Sequence, residues 1–337
     1  MELIDEAGVA CRELVVLDAE GFETLVVVVK ASFDLTRLDG GIPALAELHE
    51  PVALADEYAG DPAKSGLVVA ADGALFKPAA DILLRGHAHP AHRDQRWCEV
   101  SLECGSISKR ASVCGPRTWK RGLLTGTVPS EPGPMEPVPL VWERTFGGVD
   151  ASTDPPRRFD ANPAGCGYRS SNVSELRGQP APQIEHPDAP VEAAGTKGRA
   201  IGFGPIAPFW SDRARFAGTY DEAWTKSRLP LLPKDFDPRF QQVAPPDQVL
   251  AGYVKGGERV RVKGVTREGQ LDFVVPRWRP QVSVRLGDEP QPLQLVCDTL
   301  LLDGDKRRLS LTFRGNVRVH GRLDELRWTI VSEAPRG

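Results

Sequence analysis

A chain of 337 residues is long enough for one large β domain or for two to three smaller ones. Its 42 basic and 46 acidic residues leave a formal net charge of −4, which gives no electrostatic case for nucleic acid or an anionic membrane as the main partner. The longest aliphatic run, Leu25 to Val29, falls far short of a bilayer span, and MELIDEAGVACRELVV has no basic region followed by an apolar stretch, so the expected location is the cytoplasm.

Residues 1–128 read as an N-terminal β region. Leu25 to Val29, followed by Ala31, Phe33 and Leu35 alternating with Ser32 and Asp34, predicts a strand buried on both faces at first and half-buried later. Ile82-Leu83-Leu84 before Gly86 is a second strand. Cys98, Val100, Leu102 and Cys104 alternate with Glu99, Ser101 and Glu103, the clearest period of two in the chain. Gly105 breaks that pattern, and Ile107, Ala111 and Val113 predict the return strand. Six cysteines, none in a CxxC pair, do not make a disulfide framework, and packing as small hydrophobes is expected of all of them.

Residues 129–248 form a middle region that holds well over half of the 30 prolines, a density that argues against regular secondary structure. Asn172 to Thr196 reads as a surface loop. A short helix is expected after Thr219, with Thr219 as its cap, Glu222 three residues on and Pro230 as its stop. Asp237 before Pro238 predicts another capped turn. This region also carries Trp210, Tyr220, Trp224, Phe236 and Phe240 beside Leu231 and Leu232. Disordered segments are poor in aromatics because they have nothing to bury, so the segment is expected to fold down onto something. Residues 249–337 return to β character, with alternation at Leu271, Phe273 and Val275 and at Val282, Val284 and Leu286. Asp303-Gly304, between Leu300-Leu301-Leu302 and Leu309-Leu311-Phe313, marks a hairpin. The expected fold is mainly β: two sheet regions, of sandwich or open-barrel type, flanking an irregular middle with one or two short helices, interlocked as one globular unit.

Several patterns could carry chemistry. His87, His89 and His92 could converge on a metal if His92 swings back after Pro90, but no fourth ligand stands near except Asp94, and solvated histidines at a strand end explain them as well. Ser106-Ile-Ser-Lys109 matches SxxK, a motif that needs a helix; on a strand, positions three apart face opposite ways. Asp235 and Asp237 could be an acid–base pair, although Asp237 is better explained as a cap. Asn162, Gly165 and Gly167 read as consecutive tight turns, and Gly204, Gly256 and Gly257 as further scaffold turns. No cofactor or metal is expected.

Taken in order, Trp142-Glu-Arg144-Thr-Phe146-Gly147-Gly148, Asn162-Pro163-x-Gly165-x-Gly167-Tyr168, Gly202-Phe203-Gly204-Pro205, Ala217-Gly218-Thr219-Tyr220-Asp221-x-x-Trp224, Arg228-x-Pro230-Leu231-Leu232-Pro233-x-Asp235-Phe236-Asp237-x-Arg239-Phe240, Ala244-Pro245-x-Asp247-Gln248 and Gly256-Gly257-Glu258 resemble the markers of a bacterial domain-of-unknown-function family found among type VI secretion genes. The resemblance covers nearly the whole chain. Two departures stand out: the C-terminal pentapeptide-repeat extension of many relatives is not in this sequence, and Cys166 stands where the family often has a basic residue. The resemblance implies a non-catalytic effector adaptor or chaperone that loads an effector onto the VgrG spike and its PAAR tip, with no catalytic residue to carry over. Proline-fixed backbone loses little entropy on binding, and rigid aromatics make good anchors. Some of Trp210, Tyr220, Trp224, Leu231, Leu232, Phe236 and Phe240 are therefore expected to line a groove for an extended effector segment. The alternatives are a hydrolase or metal enzyme using Asp235/Asp237 or His87/His89/His92, and a structural spike or baseplate component.

Overall fold

The computed structural model describes residues 2–123, 126–319 and 321–334. Its largest sheet has seven strands, Val249–Leu250, Ala80–Arg85, Val296–Asp303, Arg308–Arg318, Glu23–Asp39 and Ala10–Leu17 in that order, with Ile42–Leu45 pairing the far half of Glu23–Asp39. All neighbours are antiparallel except Ala80–Arg85 and Val296–Asp303. A second, fully antiparallel sheet orders Ile184–Glu185, Ile107–Cys114, Trp97–Cys104, Arg259–Lys263 and Gln270–Val274. A third has four strands, Glu2–Asp5, Leu326–Glu333, Pro280–Leu286 and Glu289–Leu293. The mainly β expectation holds, and these sheets stay open rather than closing into a barrel. The N- and C-terminal β regions do not build separate sheets, because each contributes strands to both of the larger ones.

The period of two explains how the sheets share one core. Leu25, Val27, Val29, Ala31 and Phe33 point to one side of their strand and join a buried cluster with Val100, Leu102, Val260 and Val262 of the second sheet and Val282, Val284 and Val331 of the third. Each such valine stabilises the fold by about 1.5–3 kcal/mol relative to an exposed one. The opposite face of the large sheet is where the expectation fails. Lys30 and Ser32 are buried, so the strand stays covered on both sides through Phe33. The cover is the chain of residues 49–77, in which Val52 and Leu75 pack with Val26 and Val28 while polar groups meet the buried Lys30 and Ser32. Lys30 Nζ reaches Asp72 Oδ2 at 2.5 Å, the Ser32 amide donates to His49 Nδ1 at 2.9 Å, and Arg314 pairs with Asp298 at 2.6 Å while donating to the Asp72 and Ala74 carbonyls. A buried charge left unpaired is costly, so these pairs fix where the loop can lie.

The middle region attaches to the sheets by similar anchors. Asp81, held by Lys77 at 2.7 Å, also accepts the Val243 and Ala244 amides at 3.0 and 3.2 Å. Lys109 sits on the core-facing phase of its strand with Ile107, Ala111 and Val113, while Ser106 is exposed. Its ammonium donates to the Gly202 carbonyl (2.6 Å), Asp247 (2.8 Å) and Gln248 Oε1 (2.8 Å), and burial pushes its pKa down to about 8. The stretch expected as a surface loop at 172–196 is a correction. Ile184–Glu185 joins the second sheet, and Leu176, Ala181 and Val191 are buried, because the Glu185 carboxylate takes hydrogen bonds from Arg117 and from the Val191 amide. The hairpin at Asp303-Gly304 is present, but its loop runs over residues 304–307, with Arg307 in the left-handed region and the Asp303 carboxylate accepting the Lys306 amide at 2.9 Å.

Candidate functional site

The family-like motifs interlock. Phe146–Gly147 pairs in parallel with Cys166–Gly167, and the Asn162 side-chain amide reaches the Trp142 carbonyl (3.0 Å), Thr145 Oγ1 (2.7 Å) and the Phe146 carbonyl (3.1 Å). A methyl group on Gly165 would lie 2.5 Å from Asn162 Nδ2 and 2.7 Å from the Thr145 carbonyl, and one on Gly167 would lie 2.6 Å from the Trp119 ring. The Trp142 indole N–H donates to the Pro205 carbonyl at 2.9 Å, tying in Gly202-Phe203-Gly204-Pro205. Gly256 and Gly257 both have positive φ and pack against Arg277, whereas Gly204 has open space where a Cβ would be. This part of the pattern is scaffold. Trp210 belongs to it: the ring is fully buried, 5.3 Å edge-on to Trp142, and lies in the interior rather than at a surface groove.

The other aromatics stand on an excursion of residues 216–240. Its neck is closed by the Asp237 amide donating to the Phe216 carbonyl (3.0 Å), and by the Thr219 amide and hydroxyl donating to Asp235 (3.0 and 2.7 Å). Ends this close make it a closed loop that returns to its starting point. Helix α1, Ser211–Ala214, leads into it, and helix α2, Glu222–Ser227, lies within it. The cap of α2 is Asp221, whose Oδ1 accepts the Trp224 amide at 2.8 Å, and not Thr219, whose hydroxyl is taken by Asp235. Asp237 caps the 3-10 turn Pro238–Gln241 as expected. Tyr220 packs edge-on to Trp224 at 4.7 Å, and the Trp224 indole donates to the Leu231 carbonyl at 2.9 Å. Phe240 stacks near Phe236 at 5.7 Å and under the Arg213 guanidinium.

The excursion leans on the hairpin that joins Ala10–Leu17 to Glu23–Asp39. Arg228 donates to the Ala19 carbonyl, and the Leu231 side chain lies over Gly21. Between them runs an apolar groove of about 490 Å³. Leu231, Leu232 and Phe236 form one wall; Leu17, Leu75 and Phe76 form the other. Leu17 is 45% exposed and Phe76 40%, so the groove opens to solvent. No local pattern predicts the far wall, because its residues lie about 160 to 215 positions away in the chain. The nearest to a local signal is the apolar pair Leu17 and Phe22 flanking a polar turn.

The groove borders a sheet edge. Among the described residues, Ala10–Leu17 pairs within its sheet only with Glu23–Lys30. Asp18 and Phe22 make the first hydrogen-bonded pair, at 3.0 Å, so the antiparallel alternation turns the amides and carbonyls of Glu13, Val15 and Leu17 toward the open side. The outer strand of the third sheet, Glu289–Leu293, is blunted instead by Pro290 and Pro292.

Part of the alternative chemical set is engaged by neighbours. His87 Nδ1 lies 2.8 Å from Asp305 Oδ2, and among the described residues no group of three His, Cys, Asp or Glu is placed to hold a metal. Asp237 is bound by Arg239, and hydrogen bonds from Thr219 hold the Asp235 carboxyl below its ordinary value, which keeps it an acceptor rather than a proton donor. Burial pushes the thiols of Cys11, Cys98, Cys104, Cys114 and Cys166 up to about 11 or 12, which makes them poor nucleophiles.

The DUF2169 family, described as an uncharacterized protein conserved in bacteria, matches residues 20–314. The chain belongs to this family. Comparison with curated proteins and with solved structures returns no match. The match spans both the interlocked glycine scaffold and the 216–240 excursion of this family member.

Proposed function

We propose that this DUF2169 protein is a non-catalytic adaptor that grips an extended segment of another polypeptide. By the resemblance of its ordered motifs, the client is a type VI secretion effector to be loaded on the VgrG/PAAR spike. The observation that carries the reading is the adjacency of two features. An open strand edge offers backbone donors and acceptors at the spacing of a β-ladder, and the apolar groove beside it offers pockets for alternate side chains. Only an extended polypeptide uses both. The wall formed by the closed 216–240 excursion is already folded and stiffened by Pro230, Pro233 and Pro238, so little entropy is lost when a segment docks.

Co-expression with a candidate effector from the same genome tests the reading. The tagged wild type should retain the effector, Leu231→Asp and Leu232→Asp should lose it, and Val15→Pro should weaken it. The Val15 amide points to the open side, so proline there removes no ladder bond of the fold. A tagged chain that emerges alone, from cells in which the effector stays soluble without it, rules the adaptor out.

A further inference from the structure

Six cations are buried among the described residues: Lys30, Lys77, Lys109, Arg117, Arg213 and Arg314. Five of them have a carboxylate in contact: Asp72, Asp81, Asp247, Glu185 and Asp298 respectively. Arg213, 7% exposed, has none. Its Nη1 donates to the Ile206 carbonyl at 2.7 Å and its Nε to the Phe240 carbonyl at 3.1 Å, which leaves Nη2 without a protein partner. The nearest carboxylates act on it only through space: Asp81 is held by Lys77, and Asp56 accepts the Ala71 amide. Burial accordingly pushes the guanidinium below its ordinary value.

This guanidinium, with no carboxylate in contact and the Phe240 ring beneath it, lines a cavity of about 210 Å³ that borders Arg239 of the Pro238–Gln241 turn, while Pro238 and Gln241 of the same turn line the apolar groove. Arg215 and Arg239 line it too, both stacked on the Phe216 ring, at 4.7 and 4.3 Å. Arg239 is committed to Asp237, but Arg215 forms no ion pair among the described residues. Asp212, also lining the cavity, is the one opposing charge. The volume suits one carboxylate side chain and a few waters, at about 30 Å³ per water. The guanidinium keeps one nitrogen, Nη2, free for a charge-assisted contact to a carboxylate oxygen.

We infer that Arg213, backed by Arg215, is a carboxylate-binding subsite that receives an acidic side chain of the bound client. The identity of the donor chain rests on the adaptor reading; the anion site itself does not. The test is a titration of the ¹⁵N-labelled full-length protein with glutarate, followed at the arginine Nε–Hε resonances. Glutaramide and inorganic phosphate are the controls. A saturable shift at Arg213 with glutarate is expected, without one for glutaramide and with weaker binding for phosphate. Arg215→Gln, at an exposed position, should weaken glutarate about ten-fold, the loss of one charge-assisted contact. Asp212→Asn should tighten it. The subsite is overturned by the lack of a saturable shift, by phosphate binding as tightly as glutarate, or by indifference to both variants. If the client co-purifies while Arg213 stays silent, the subsite alone fails. If glutarate binds but no client is retained, the adaptor reading alone fails.

Discussion

Thr219 and Asp235 meet across the neck of the 216–240 excursion, the carboxylate accepting both the amide and the hydroxyl of the threonine at 3.0 and 2.7 Å. Within the loop so closed, helix α2 buries no residue, and Pro233 is the one buried position between Tyr220 and Phe240. The clasp therefore determines the order of the groove wall more than the stability of the molecule. Asp235→Ala should leave the urea midpoint of global unfolding unchanged while amide hydrogen exchange across residues 219–236 speeds up. Exchange in the variant that matched the wild type would show that the loop is held by other contacts.

Trp210 and Trp224 separate core from surface. Trp210 is sealed against Trp142, and Trp210→Ala should cost about 3–5 kcal/mol in denaturant unfolding, as large-to-small changes in cores do. Trp224 is half-exposed with a single indole hydrogen bond, and Trp224→Ala should cost about 1 kcal/mol. The same pair should invert in a client pull-down normalised to folded protein, with Trp224→Ala the more damaging. Equal loss of stability in both variants would place Trp224 in the core.

The glycines of the interlocked scaffold differ in a measurable way. Gly165→Ala forces a methyl group into the Thr145 carbonyl and the Asn162 amide, and overpacking of this kind costs about 1–3 kcal/mol. Gly204→Ala meets open space and should be within about 0.5 kcal/mol of wild type. Chemical denaturation of the two variants side by side checks this, and a destabilised Gly204→Ala would mean that its backbone rather than its space requires glycine.

Stability should fall on the acid side through Asp150. Burial alone would raise this carboxyl, but hydrogen bonds from the Ser152 and Ser170 hydroxyls, the Ser170 amide and the Arg169 guanidinium hold it far below the ordinary 3.8. As pH drops below 3.8 the unfolded chain takes up a proton that the native site refuses, so unfolding is favoured. The contribution is complete above that value and lost as pH falls toward the native pKa. Urea midpoints between pH 6 and 3 should drop more steeply for wild type than for Asp150→Asn, which lacks the titrating group. Parallel slopes would remove Asp150 from the acid transition.

Local periodicity made much of the fold legible. The alternation from Cys98 to Cys104 and the return at Ile107 describe a hairpin whose register pairs those two ends, Cys104 with Ile107. Where packing is decided by distant partners, local pattern misleads. Ser32 looked solvent-facing because its burial depends on the hydroxyl of Ser310, 278 positions away, and on His49. Residues 172–196 looked like a loop because Glu185 acts as the counter-ion of Arg117, which no local pattern reveals. Thr219 looked like a helix cap because Thr and Asp compete for that role within three residues, and the distant Asp235 settled the competition. Half of the groove, Leu231, Leu232 and Phe236, is visible as a proline-set apolar run, and the other half comes from Leu17 at a hairpin and from Leu75 and Phe76 of the covering segment, neither of unusual composition.

The central pair of the large sheet, Val296–Asp303 and Arg308–Arg318, is the last major hairpin to leave the ribosome, yet Ala80–Arg85 and Glu23–Asp39 pair through it rather than with each other. Contacts this remote in sequence make for slow folding, since loop closure precedes any gain from pairing. During synthesis the valine-rich strand at Leu25 to Val29, paired early with Ala10–Leu17, waits for its second partner almost three hundred residues downstream. A nascent chain halted before residue 296 exposes two unzipped edges and should aggregate, so an organism producing this protein must shield it, or finish it, before its core can close.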